Sequence, residues 1–354
     1  MKYKREYSIL VTGAAGLQGY HLVRDLVIQP EVVQVVGIDD FSRPFLEQPR
    51  KWARNLHKKF TLEERKYQSL TSSELAEFDT VIHLAASISV PESMSSDEMQ
   101  RHYWKNNAEG MLELMIKLMH KDKWPVLIYA STSETFGNPI ITPMPHDHLQ
   151  NPQSIYAVSK LAAEKMVTAH AQWNKYPGVV VRTFNTYGPN QNSSFSDAAV
   201  IALFIKKALC GDTLTIHGDG SQTRDFQYVQ DAIRAYRYLA LRGQEEGTKH
   251  YAFTGRQYNT GTGVQTTIQD LADLIMSITN STSNITHIDA RTGDIIALEA
   301  DYSRIRKDIG WKPQVDLREG LTKTIKWYRE QYCKSGVLPI DDEEKKLERV
   351  ITQG

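Results

Sequence analysis

The sequence predicts a doubly wound α/β fold, a parallel sheet with helices on both faces, joined to a smaller α/β domain. Three observations carry that prediction. Short apolar runs alternate with amphipathic stretches through the first half of the chain. The runs are apolar along their whole length, as strands covered on both faces require. The first of them opens into a glycine-rich turn followed by a helical stretch.

Taken in order, Ile9–Val11, Val32–Ile38, Thr80–Leu84, Val126–Ala130 and Gly178–Arg182 read as strands. Leu17–Val27, Asn107–Met119 and Ile155–Trp173 read as helices between them. After about residue 185 the pattern loosens. Asn185–Asp197 is rich in Gly, Pro, Asn and Ser and reads as a long loop. A helix from about Ala198 to Leu209 and a turn-rich segment, Gly218–Arg224, follow. The expected organisation is a first domain over 1–184, with 225–262 returning to it, a second mainly over 185–333, and a charged tail over 334–354. No internal repeat is visible.

Composition narrows the function. The 354 residues carry 42 basic and 42 acidic side chains, so no global field attracts nucleic acid or an anionic membrane. A small anionic substrate needs only a few local arginines. The two cysteines, Cys210 and Cys333, lack metal-ligand or redox spacing, which suits a reducing compartment. The N-terminal MKYKREYSILVTG lacks a signal peptide's apolar region, and no apolar stretch is long enough to span a bilayer. A cytoplasmic chain is expected, and the sequons at Asn192, Asn280 and Asn284 read as chance matches.

Ile9–Val11 is followed by Thr12-Gly13-Ala14-Ala15-Gly16-Leu17-Gln18-Gly19 and then by the first helix. Glycines there let the backbone turn tightly and approach a pyrophosphate, which rests on the helix N-terminus. Roughly 20 residues on, the second strand ends at Asp39-Asp40, where a carboxylate accepts ribose hydroxyls and repels a 2′-phosphate. Asp39 therefore argues for NAD over NADP. Asp40 reads equally as a helix N-cap.

Tyr156 and Lys160 are four residues apart in a helical stretch and so share one face. A tyrosine near its reference pKa of about 10 is a poor base at neutral pH, and a neighbouring ammonium favours the phenolate. The pair taken alone reads equally as an exposed helix pair. Its position after a strand ending in hydroxyl residues favours chemistry.

Together with His83-Leu84-Ala85-Ala86 and Asn107-Ala108-Glu109-Gly110, the glycine turn and the Tyr156–Lys160 pair resemble the extended short-chain dehydrogenase/reductase family. Arg182–Pro189, Gly218–Phe226, Tyr258-Asn259-Thr260-Gly261 and Gly310-Trp311-Lys312-Pro313 resemble its nucleotide-sugar epimerases, dehydratases and decarboxylases. The likeness spans nearly the whole chain. It implies a Rossmann domain and tightly held NAD. The NAD contacts it implies are Gly13, Gly16, Leu17, Gln18, Gly19, Asp39, Asp40, Ser69, Leu70, Leu84, Ala85, Ala86, Asn107, Tyr156, Lys160 and Phe184.

The resemblance also implies a reaction that opens at C4. Tyr156 takes the proton of the 4-hydroxyl, Lys160 binds the nicotinamide ribose, and Thr132 holds the hydroxyl while hydride leaves C4 for NAD. The step that follows is expected to depend on Ser133 and Glu134. Simple 4-epimerases usually carry a small residue at the position of Glu134, whereas 4,6-dehydratases use a glutamate there to remove the C5 proton. Dehydration of an NDP-hexose, UDP favoured, is thus the leading expectation. Many dehydratases carry Asp where this chain has Ser133. UDP-glucuronate decarboxylases share Thr-Ser-Glu but add an Arg-Lys-Pro element, in place of which Arg291-Thr292-Gly293-Asp294, a form commoner in epimerases, stands here. Glu134 also reads as an ordinary loop carboxylate.

For the nucleotide end, the resemblance implies substrate contacts at Asn185, Leu214, His217, Arg224 and Arg291, since guanidinium groups grip phosphate oxygens. Arg182 reads as either functional or structural. His146 and His148 read as loop histidines in preference to metal ligands, and no metal is expected. Lys206-Lys207 reads as a phosphate contact or a solvated helix face. The helices 107–119 and 155–173 are expected to pair across a two-fold axis in a homodimer. A non-catalytic NAD sensor is the rival of another class; it would be expected to lose Tyr156 or Lys160, and both are present.

Overall fold

The computed structural model describes residues 6–42, 49–120, 123–192, 199–243, 251–291 and 293–334. Its first half runs β1 (Tyr7–Thr12), α1 (Leu17–Val27), β2 (Val32–Asp39), α2 (Pro49–Leu56), β3 (Phe60–Glu64), α3 (Ser72–Leu75) and β4 (Thr80–His83). Then come α4 (Val90–Ser93), α5 (Asp97–Tyr103), α6 (Gly110–Met119), β5 (Val126–Thr132), α7 (Ile155–Trp173) and β6 (Gly178–Thr183). The second half contributes β7 (Asn185–Tyr187), α8 (Val200–Cys210), β8 (Leu214–His217), β9 (Thr223–Arg224), β10 (Phe226–Tyr228), α9 (Val229–Arg242) and β11 (Gln257–Thr260). It closes with β12 (Thr266–Thr267), α10 (Ile268–Thr279), β13 (Ile285–Ile288), α11 (Ser303–Ile309) and α12 (Leu317–Lys334).

Seven strands form one parallel sheet in the order β11-β6-β5-β4-β1-β2-β3. Strand alternation divides its apolar residues between two faces. Ile9, Val11, Val35, Ile82, Ile128, Val179 and Val181 share one core with residues of α1 and α9. Leu10, Val36, Val81, Leu127 and Val180 share the other with residues of α6 and α7. Burial on both faces is what the unbroken apolar runs require, and it confirms the doubly wound α/β class. The order reverses between β1 and β4, and open α/β sheets bind ligands at such a crevice beyond the carboxyl ends of the strands.

Three two-stranded ladders, β10–β7, β12–β9 and β13–β8, build the smaller part beyond those strand ends. β11 leaves that part to pair with β6 at the edge of the main sheet. A third apolar cluster of Phe136, Met144, Phe184, Ile295, Leu298 and Ala300 packs loops from both halves together.

Local chemistry fixes the element ends. Ser154 caps α7 by accepting from the Ala157 N–H at 3.1 Å, and Thr267 caps α10 in the same way at 2.9 Å. α8 stops at Gly211, whose φ of +78° suits glycine as a helix C-cap. Several expected boundaries moved. β5 continues past Ala130 to Thr132, adding two hydroxyl residues at its carboxyl end, still paired with β6. The helix expected from Asn107 opens instead with a π-turn over Trp104–Glu109. Wide turns of that kind collect at functional sites because they re-aim side chains. The expected 198–209 helix begins at Val200. Ala198, part of the 185–197 loop and the 335–354 portion of the tail lie outside the described residues. Among the described residues no helix is long and apolar enough to cross a membrane.

Candidate active site

The glycine turn between β1 and α1 is built for close backbone approach. A Cβ on Gly13, whose φ is +71°, would lie 2.8 Å from the Ala85 nitrogen, and one on Gly19 would lie 2.1 Å from the Gly13 oxygen. No side chain caps α1 at Gly16, and its first turn carries no acid. Its leading N–H groups therefore face an anion-sized cradle. The buried Gln18 Oε1 has no hydrogen-bond partner, an acceptor waiting for a donor. These features fit a bound dinucleotide.

Asp39 ends β2 beside this turn. Its two carboxylate oxygens accept from the Ala15 and Phe41 N–H groups, both at 2.9 Å. Burial pushes the Asp39 carboxyl up, while those N–H groups oppose it. Asp40 is exposed and accepts from Ser42, a local turn contact. Leu84 and Ala85 follow β4, with the Leu84 N–H on the Thr12 carbonyl at 3.1 Å and the Ala85 N–H on the Thr12 hydroxyl at 3.3 Å. Ala86 continues the same half-buried segment.

Several expected cofactor residues have other work. Leu70 is buried in the second core. Ser69 is exposed and bonds the Lys66 carbonyl at 2.8 Å. Phe184 packs inside the third apolar cluster, leaving only its backbone for a ligand. Asn107 is buried, accepts from the Ser87 N–H at 2.9 Å, and donates to the Ser87 carbonyl and Ser159 hydroxyl at 3.0 Å. That amide braces the β4–α4 loop against α7, an arrangement the π-turn makes possible.

Tyr156 and Lys160 lie buried on the inner face of α7, beneath the end of β5. The Tyr156 hydroxyl is hydrogen-bonded to Thr132, and burial first, then the Glu134 charge, pushes the phenol up. The Lys160 Nζ donates to the Ala130 carbonyl at 2.6 Å and stands 4.4 Å from the centre of the Tyr129 ring. Burial pulls its ammonium down to about 7, with the Glu164 charge opposing. His83 is held neutral beneath the pair, at about 3, by burial and then by the Lys160 charge. Its Nδ1 meets the Thr12 hydroxyl at 2.7 Å.

Thr132, Ser133 and Glu134 turn out of β5 in a single 3₁₀ turn, started by the Thr132 hydroxyl accepting from the Glu134 N–H at 3.2 Å. Thr132 and Ser133 are buried. Burial pushes the Glu134 carboxyl up, Arg224 pulls it down, and Asp294 pushes it up again. The Arg224 guanidinium is itself held, by Asp294 Oδ1 at 2.5 Å and by the Ile295 and Thr223 carbonyls at 2.7 and 2.9 Å. The structure thus joins Thr132, Glu134, Tyr156 and Arg224 in one crevice at the strand ends.

Of the residues expected to contact the nucleotide, Asn185 is half-buried and its Oδ1 lacks a partner. His217 is half-buried, and Arg291 is exposed. The Leu214 side chain faces the core, so a ligand would meet only its backbone.

Some side chains that shape the crevice escape sequence reasoning. Glu164 is fully buried, and its Oε2 accepts from Arg182 Nε and the Ser131 hydroxyl, both at 2.9 Å. Its Oε1 accepts from Gln150 at 2.9 Å and from Arg182 Nη2. Arg182 is therefore committed to the interior. The buried Asp225 gathers the Thr262, Gly263 and Ala300 N–H groups within 3.0 Å, fixing three loops beside Arg224. Glu164 belongs to no quoted motif, and Asp225 lies within the 218–226 segment without a role of its own. The available signal was an acid one turn beyond Lys160 and an acid next to Arg224. His148 is no loose loop residue: its ring accepts from the Ile140 N–H at 3.0 Å and meets the Leu149 carbonyl at 2.7 Å. Among the described residues no group of three His, Cys, Asp or Glu is placed to hold a metal.

Known proteins resemble the chain along most of its length. A family model described as GDP-mannose 4,6 dehydratase matches residues 10–324. A UDP-glucose 4-epimerase of Mycolicibacterium smegmatis is 31% identical over 90% of this chain and 98% of its own. A UDP-glucuronic acid decarboxylase 1 of Danio rerio is 31% identical over 90% of this chain and 72% of its own. Among solved structures, a UDP-glucuronic acid 4-epimerase of Bacillus cereus, in complex with UDP-glucuronic acid and NAD, superposes with a TM-score of 0.81. It is 30% identical and covers 92% of this chain and 100% of its own.

Proposed function

The chain belongs to the NAD-dependent nucleotide-sugar epimerase/dehydratase family of extended short-chain dehydrogenases/reductases, and on that premise we propose that it epimerises a neutral UDP-hexose at C4. The observation that carries this reading is the charge balance around Glu134. The charged partners it feels among the described residues are Arg224 and Asp294, and these two are already paired with each other. A hexuronate carboxylate entering there would meet Glu134 with no surplus cation to receive it. An uncharged 6-hydroxymethyl group meets no such penalty. The 4-epimerase relatives support the C4 outcome, and their UDP-sugars favour UDP as the nucleotide.

NAD held at the glycine turn would supply a hydride acceptor for C4 and, once reduced, the donor that closes the same cycle. Tyr156 takes the proton of the 4-hydroxyl and later gives it back. The Thr132 hydroxyl, hydrogen-bonded to Tyr156, holds the substrate oxygen in line with it. Lys160, one turn along α7, would bring positive charge to favour the phenolate, against the burial that raises the phenol. Inversion requires the flat C4 ketone to turn over before hydride returns. Asn185 and the backbone of the 214–217 strand would hold the nucleotide while the sugar turns, and Arg291 would lie at the pyrophosphate. Residues 185–333 mainly form this nucleotide-sugar half in our reading.

Glu134 supports one further reading. A half-buried carboxyl pushed up by desolvation, whose charge Tyr156 feels, would suit removal of the C5 proton of a 4-keto sugar, the first step of 4,6-dehydration. Mass spectrometry of products from UDP-glucose, UDP-N-acetylglucosamine and UDP-glucuronate in deuterated water separates the outcomes. Epimerisation gives an isomer of unchanged mass without solvent deuterium, which is the expected result. Loss of water with deuterium uptake establishes dehydration instead, and loss of carbon dioxide from UDP-glucuronate overturns the neutral-sugar reading.

The same reading includes a cytoplasmic homodimer. Leu112 and Ile116 on α6 and Val158 on α7 are exposed apolar residues on the helices expected to pair.

A further inference from the structure

Tyr156, Lys160 and Glu164 form a stripe at four-residue spacing along the inner face of α7. The first two have proposed roles; the third is a fully buried carboxylate that the reaction does not touch. Burial works against its charge, but hydrogen bonds and charge from Arg182, then Gln150 and Ser131, hold the carboxyl below the usual range. It stays ionised inside the protein. Arg182, its partner, is equally buried and also bonds the His146 carbonyl at 2.6 Å and the Gln257 side chain.

Two consequences follow from this placement. Ser131, which Glu164 fixes at 2.9 Å, stands between Ala130, whose carbonyl receives Lys160, and Thr132, which meets Tyr156. The carboxylate also faces Lys160 along the helix, so a cation–anion–cation row, Lys160–Glu164–Arg182, runs beneath the crevice. Other titratable groups facing Lys160 are Tyr129 on β5, His83 on β4 and Tyr156 itself; none of them is anionic in this setting. Glu164 is the negative charge the lysine feels.

We propose that Glu164 is a positioning residue for the tyrosine–lysine pair: its carboxylate, paired with Arg182 and one turn along α7 from Lys160, places a negative charge beside the lysine, and through Ser131 it holds the strand end that carries Thr132. This rests on the proposed roles of Tyr156 and Lys160 but not on which product the enzyme makes.

The test reads Lys160 directly. In cofactor-free protein labelled with 13C at the lysine ε-carbon, the Lys160 signal, assigned by its loss in Lys160→Met, is titrated with pH. Glu164→Gln leaves the Arg182 charge uncompensated and is expected to shift the titration down by about one to two pH units. Arg182→Met leaves the carboxylate unneutralised and should shift it up. The double variant Glu164→Gln/Arg182→Met should return it to within about half a unit of the original. The basic limb of the kcat/KM profile is expected to follow the same order.

A merely structural role would loosen the interior and raise the Lys160 titration in every variant toward the solvent value of about 10.4. That result, or an unmoved titration in folded Glu164→Gln, overturns the proposal. Should Glu164→Gln fail to fold, the double variant and Arg182→Met still decide, because loosening moves both upward together. Full turnover in Lys160→Met would instead sink the role proposed for Lys160.

Discussion

Lys160 donates to the Ala130 carbonyl at 2.6 Å, so the lysine one turn beyond Tyr156 is tied to the strand that ends in Thr132. That bond couples helix α7 to the hydroxyl beneath the proposed reaction centre. It fixes where the positive charge stands relative to the phenol.

Removing the phenol oxygen should remove the chemistry and little else. Tyr156→Phe keeps the ring in its pocket and loses a hydroxyl whose hydrogen bond goes to Thr132. Turnover is expected to fall by about 10²–10⁴-fold, while the melting temperature stays within a few degrees. Steady-state kinetics beside a thermal melt checks this. Undiminished turnover would refute the proton-transfer role proposed for Tyr156.

Asp294 should govern how the crevice treats charge. Asp294→Asn leaves Arg224 with its two carbonyl partners and an unmatched positive charge beside Glu134. The ratio of kcat/KM for UDP-glucuronate over UDP-glucose is expected to rise by about tenfold or more, the size of one charge-assisted hydrogen bond. An unchanged ratio would mean that the sugar's 6-substituent lies elsewhere.

The glycine turn should tolerate no side chain at Gly19. A methyl group there falls 2.1 Å from the Gly13 oxygen, so the turn must shift. Gly19→Ala is expected to cost about 1–3 kcal/mol of stability and to weaken NAD binding by about a hundredfold. Calorimetric titration with NAD, beside chemical denaturation, measures both.

Acid should destabilise the fold through two buried histidines. His21 is pulled down to about 4 and His83 to about 3, in both cases chiefly by burial. Their unfolded values are near 6.5, so the unfolded chain binds more protons throughout the window between. Stability is therefore expected to be full above about pH 6.5 and to decline as pH falls toward 4 and then 3. Each group contributes at most about 1.4 kcal/mol per pH unit. Urea melts at pH 7, 6 and 5 should show a shallower decline in His21→Gln than in the parent. Equal slopes would refute the contribution of His21.

Subunit association should depend on α6. Ile116 is half-exposed and lies one turn from Leu112. Ile116→Glu would place charge in an apolar interface and is expected to yield monomers in light scattering coupled to size exclusion. A parent protein that is itself monomeric would dispose of the dimer.

The strand–helix alternation was legible because it is local. Burial on two faces demands unbroken apolar runs, and the α1 and α7 boundaries emerged where sequence put them. The glycine turn and the Tyr156–Lys160 spacing are local as well: a steric demand between near neighbours and one turn of helix. The π-turn before α6 was not legible, because nothing in residues 104–109 breaks helical periodicity. It accompanies the contacts of Asn107 with Ser87 and Ser159, 20 and 52 residues away.

By itself the sequence determined the α/β class, the glycine turn between β1 and α1 and the shared helical face of Tyr156 and Lys160, each set by contacts within a few residues. Only the tertiary structure decided that Arg182 serves Glu164 and that Arg224 is held by Asp294, pairings 18 and 70 residues apart. Periodicity carries no trace of a partner at that range. What a buried charge does depends on the opposite charge that chain folding brings to it, and that partner sets both the state of Lys160 and the charge a substrate meets at Glu134.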